Sequence, residues 1–71
     1  MARKLPRLTA REAISLIEKY EFFFVRQGGS HKLYRNKEGK RINIPFHGDK
    51  ILHPKYVKEI LSILNLTAED F

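Results

Sequence analysis

The chain contains no cysteine, only one methionine, three prolines and four glycines among its 71 residues. Without cysteine it has neither a disulfide framework nor a thiolate metal site, and thiol redox chemistry is excluded. A reducing compartment is compatible with such a composition. No apolar run is long enough to cross a bilayer, and no apolar segment of the kind a signal peptide needs follows the basic opening "MARKLPRLTA". The expected location is therefore the cytoplasm. Acidic residues are scarce as well: eight Asp and Glu against fourteen Lys and Arg leave a net charge of +6 at pH 7. That balance suits a protein that meets a polyanion, whether RNA, DNA or an acidic protein.

What is present reads as one folded domain over residues 1–71. A chain of this length hides only roughly 60% of its unfolded surface, which leaves a thin core and no deep substrate cavity. Apolar residues make up 42% and fall in periodic blocks, which argues against disorder despite 31% charged residues. Thr9-Ala10-Arg11-Glu12 has the spacing of a capping box, so a helix is predicted to start there, with Ala13, Ile14, Ile17 and Tyr20 on its apolar face. The aromatic and β-branched run Phe22-Phe23-Phe24-Val25 then suits a strand. Gly28-Gly29 predicts a two-residue hairpin turn, ending the first strand at Gln27 and starting the second at Ser30. Lys37-Glu38-Gly39 predicts a second, three-residue hairpin loop with Gly39 left-handed, followed by a third strand from Lys40 to Pro45. After a polar loop, Pro54 suits the first turn of a helix striped by Tyr56, Val57, Ile60, Leu61 and Leu64 and ended by Asn65. Thr67 to Asp70 adds a short terminal turn. The order is α-β-β-β-α, an α+β domain with both helices on one face of a three-stranded antiparallel sheet.

The other sheet face is then open, and hairpin register decides what it carries, because a slip of one residue exchanges the faces. A Gly28-Gly29 turn sets Arg26 opposite His31 and Phe23 opposite Tyr34, while the three-residue loop sets Tyr34 opposite Ile42 and Leu33 opposite Asn43. The predicted core face is Phe23, Val25, Tyr34, Ile42 and Ile44. The predicted open face is Arg26, His31, Arg35, Arg41 and Asn43, with Phe24 and Leu33 among them. A four-residue second loop would instead bury His31 against Ile44, a register that separates charge from apolar surface less cleanly. Beside a cross-strand arginine the charged imidazolium is disfavoured, which keeps a neutral imidazole available as a proton acceptor.

Gly29-Ser30-His31 followed by Tyr34, a Gly-containing turn in "NKEGKR" and then "INIPFHG", in a basic chain opening "KLPRLTAREAI", resembles the HicA (YcfA-like) toxins of bacterial and archaeal toxin–antitoxin pairs. The similarity runs from about Lys4 to Leu66. It implies a double-stranded-RNA-binding-domain-like fold, a metal-independent endoribonuclease acting on single-stranded mRNA without a cofactor, and silencing by a HicB-type antitoxin. The family's catalytic histidine carries over to His31. In that reading Arg26, Ser30, Lys32, Arg35 and Arg41 contact the RNA, and His47 is the candidate acid for the leaving group.

Plainer readings stand beside these. Each basic residue alone is ordinary solubilising surface, and only clustering on one face raises it above that. His31, His47 and His53 lie far apart in sequence for zinc and have no cysteine to join them. His53 before Pro54 is read as structural. Phe24 and Leu33 on the open face would stack unpaired bases or lie under the antitoxin. The competing function is a non-catalytic module that binds double-stranded RNA by shape; a DNA-binding or purely structural role ranks below it, for want of a recognition helix.

Overall fold

Thr9 caps the first helix as its spacing predicts: its hydroxyl accepts the Glu12 amide at 3.2 Å while the Glu12 carboxylate accepts the Thr9 amide at 2.9 Å. These contacts come from a computed structural model that describes residues 5–47 and 49–70. The basic start over residues 1–4 and Gly48 of "INIPFHG" lie outside the described residues. The elements are α1 (Ala10–Lys19), β1 (Phe23–Gly28), β2 (His31–Arg35), β3 (Arg41–Pro45), α2 (Pro54–Leu64) and a 3₁₀ turn (Ala68–Asp70), with the strands antiparallel in the order β1-β2-β3. The expected α+β architecture is the observed one.

α1 stops one residue earlier than its stripe predicts. Tyr20 is the C-cap and is 44% exposed rather than core. The Glu21 amide donates to the Glu18 carbonyl and the Phe22 amide to the Ile17 carbonyl, a Schellman arrangement that turns Phe22 into the core. Its left-handed residue is Glu21, at φ 68°, where glycine is the usual choice. Glu21→Gly is expected to raise stability by roughly 0.5–1 kcal/mol, read from the midpoint of urea unfolding.

α2 opens with Pro54 in its first turn and ends at Asn65 in the left-handed conformation, as predicted. A single core joins Ala10, Ala13 and Ile17 of α1 and Val57, Ile60, Leu61 and Leu64 of α2 to Tyr34, Ile42 and Ile44 of the sheet. Leu52 completes it from the 46–53 loop, held to the N-terminal segment by a 2.7 Å hydrogen bond from its amide to the Leu8 carbonyl. No helix among the described residues is long and apolar enough to cross a membrane.

The second hairpin has the predicted register: Tyr34 faces Ile42, Lys32 faces Ile44 and Leu33 faces Asn43. The buried Asn36 holds it, its side-chain oxygen accepting the Glu38 and Lys40 amides, while Gly39 sits at φ 85°. The first hairpin differs. Its two-residue turn is Gly29-Ser30, so Gly28 pairs with His31, Gln27 with Lys32 and Arg26 with Leu33. Gly29 takes φ 59° at the first central position, the place a type II′ turn requires of glycine. A bulge between Phe24 and Arg26 then inserts one residue, pairing Phe24 with Tyr34 and Phe23 with Arg35.

The turn shift moves the pairing by two residues and keeps the faces; the bulge exchanges them. Phe23 therefore lies on the open face and Phe24 on the helix side, the reverse of the prediction, and Phe24 meets Tyr34 edge-to-face at 5.7 Å. Because β1 is an edge strand, Phe23, Phe24 and Val25 remain 47%, 50% and 43% exposed. The predicted core positions Phe23 and Val25 are not core.

Candidate functional site

The open face is built by alternation. On β2 the residues His31, Leu33 and Arg35 point away from the helices, and their partners on β3 are Pro45, Asn43 and Arg41. β1 contributes Gly28, Arg26 and, beyond the bulge, Phe23. Three arginines thus share one sheet face with His31, and all of them are exposed.

His31 stands at the start of β2 between Gly28 on one neighbouring strand and Pro45 on the other. Gly28 has no side chain to cover the imidazole, and the space where a Cβ would lie is open. The ring lines two shallow depressions. One, on the sheet face, is bounded by Arg26, Gly28, Leu33 and Asn43. The other is a groove of about 200 Å³ that leads past the end of β3 to His47, Lys50, His53 and Tyr56. The Phe46 amide donates to the Ser30 carbonyl at 2.6 Å, fastening the chain after β3 beside the Gly29-Ser30 turn. The contact that the structure gives Ser30 is this main-chain one.

The remaining expected contacts divide. Arg26 is on the open face but faces Leu33 rather than His31, so no arginine lies directly across the strand from the imidazole as expected; Arg26 meets it only as a fellow wall of the depression. Arg35 and Arg41 face each other on the open side. Lys32 does not belong there. It alternates onto the helix side, where its ammonium lies 4.2 Å from the centre of the Phe46 ring in a groove with Arg11, Ser15 and Tyr34. His47 does reach the groove of His31.

Sequence spacing did not place His53 near His31. The loop that closes over residues 46–53 does so, and only its folded path carries that information. His53 is also the N-cap of α2: its Nδ1 accepts the Lys55 amide at 3.1 Å. Although three histidines line one groove, no group of three His, Asp or Glu side chains among the described residues converges as a metal-binding set.

Burial pushes the Tyr34 phenol above its ordinary value near 10, and the Glu18 carboxylate adds to the rise. The phenol is therefore protonated at neutral pH and does not act as a base. A raised phenol pKa means that the folded state holds the proton more tightly, so the stabilisation is complete below about pH 10 and is lost as pH climbs through the folded value. Tyr34→Phe is expected to remove that part of the alkaline loss, seen as a smaller drop in urea midpoint between pH 8 and pH 11 than in the unsubstituted protein.

A small α+β domain with an uncovered, arginine-bearing sheet face and an exposed histidine at the head of its central strand is the class that fold and site define. The model of the family described as HicA toxin of bacterial toxin–antitoxin matches residues 10–66. The chain belongs to that family, and is accordingly a toxin of the toxin–antitoxin kind. Comparison with curated proteins finds none that matches.

Proposed function

We propose that this toxin is a metal-independent endoribonuclease acting on single-stranded mRNA, with His31 as general base. The observation that carries the reading is the exposed His31 imidazole, flanked by Gly28 and Pro45, on a face with Arg26, Arg35 and Arg41. In the proposed step the His31 nitrogen takes the proton of a ribose 2′-hydroxyl, and the 2′-oxygen attacks the adjacent phosphorus. The bond from phosphorus to the 5′-oxygen breaks, leaving a 2′,3′-cyclic phosphate on one product. His47, on the same groove, gives a proton to the departing 5′-oxygen to form the 5′-hydroxyl end. The arginines neutralise backbone phosphates and the charge that grows on the phosphoryl oxygens.

The partner in this reading is a HicB-type antitoxin that covers the open face. The arginines would meet acidic groups, and Phe23, 47% exposed beside them, gives the apolar contact. The competing reading, a non-catalytic module binding double-stranded RNA, rests on the same basic face.

The test uses one RNA and a copy with a single 2′-deoxyribose at the cleaved position. Cleavage of the first to a 5′-hydroxyl end, with the second bound and intact, is the expected result. Binding of both without cleavage of either would favour the module.

A further inference from the structure

We infer that His53 is a third member of the site, a fixed hydrogen-bond donor to the phosphoryl oxygens of the bound RNA; the inference rests on the ribonuclease reading of His31. Two observations meet in this residue. The residue lines the groove that also holds His31, His47, Lys50 and Tyr56. Its Nδ1 accepts the Lys55 main-chain amide at 3.1 Å as the cap of α2.

An imidazole nitrogen that accepts a hydrogen bond carries no proton, so the neutral ring of His53 holds its proton on Nε2. The helix start thus sets both the tautomer and the orientation of the ring. What a free histidine side chain would leave to chance, the first turn of α2 decides: a single N–H donor, held by main-chain geometry, on the groove that His31 also lines. Donors held in place before the reaction stabilise the charge that develops on phosphoryl oxygens without reorganising. The groove, at about 200 Å³, falls below the roughly 300–1,000 Å³ of small-molecule pockets. The three imidazoles then divide the work. His31 receives the 2′-proton, His47 supplies the leaving group's proton, and His53 holds the phosphate between them.

Two substitutions separate this role from capping. His53→Asn keeps an excellent N-cap oxygen, but its amide nitrogen falls one bond short of the ring's Nε2. His53→Gln keeps a donor near the Nε2 position and caps poorly. The expected result is that His53→Asn leaves the melting temperature unchanged and lowers kcat about 100-fold, the usual loss for one such donor, whereas His53→Gln lowers the melting temperature and retains most of kcat. Full activity in His53→Asn with a loss only in His53→Gln would overturn the inference and leave His53 a cap.

A binding arm separates this failure from failure of the nuclease reading. The deoxy-substituted RNA is added to ¹⁵N-labelled protein and the imidazole resonances are followed. A shift of the His53 Nε2–H signal, with the all-ribose RNA uncut, would retain the phosphate contact and discard the nuclease. Shifts at His31 and His47 with none at His53 would discard the contact alone. No binding by the RNA would discard both.

Discussion

Replacing His31 by alanine is expected to lower RNA cleavage by about 10²- to 10⁴-fold, the range contributed by a positioned general base, while changing folding stability by no more than about 0.5 kcal/mol. Both halves follow from where the ring lies. It is exposed, opposite a glycine and a proline, and stands outside the core formed by the helices and the inner sheet face. Removing it opens no cavity. The measurement pairs single-turnover cleavage of a short RNA with a thermal melt of the same preparation. Cleavage at the unsubstituted rate would remove His31 from the mechanism, and a large fall in melting temperature would show that the ring serves packing instead. In a bacterial host the expected counterpart is relief of growth arrest by the same substitution.

Ile44→Ala is expected to destabilise the domain by about 2–5 kcal/mol, the cost of truncating a buried isoleucine and leaving a cavity. Ile44 is fully buried in the cluster that ties β3 to both helices. A 71-residue domain has about 4–11 kcal/mol in total, so this one change brings the protein toward its unfolding midpoint. Phe23→Ala, a larger truncation on the same sheet, is expected to cost less than about 1 kcal/mol, because Phe23 is 47% exposed on the open face. Urea unfolding followed by circular dichroism distinguishes the two. Equal losses would mean that Phe23 packs as the simple alternation of β1 predicts.

That contrast marks where reading the residues in order succeeds and where it fails. The Thr9 capping box, the apolar stripe of α2, its Pro54 start and Asn65 end, and the Lys37-Glu38-Gly39 loop are local signals, and each element follows from bonds spanning at most a few residues. The register between β2 and β3 follows from that loop, and with it the exposure of His31 opposite Pro45. β1 is different. Two adjacent glycines allow more than one two-residue turn, and the bulge at Val25 has no local mark, since a run of three phenylalanines and a valine looks equally strand-like in either phase. Lys32, expected among the RNA contacts, is ruled out by the three-residue loop itself, because that register pairs it with Ile44 on the face away from His31.

Composition, capping and turn chemistry determined the α-β-β-β-α order, the basic character and the presence of an exposed histidine after a glycine turn, because these depend on neighbours in sequence. Tertiary structure alone decided that Phe23 rather than Phe24 joins the open face and that His47 and His53 share a groove with His31. A bulge on an edge strand and the return path of the 46–53 loop are set by contacts between segments distant in the chain, and no local pattern of residue types encodes them.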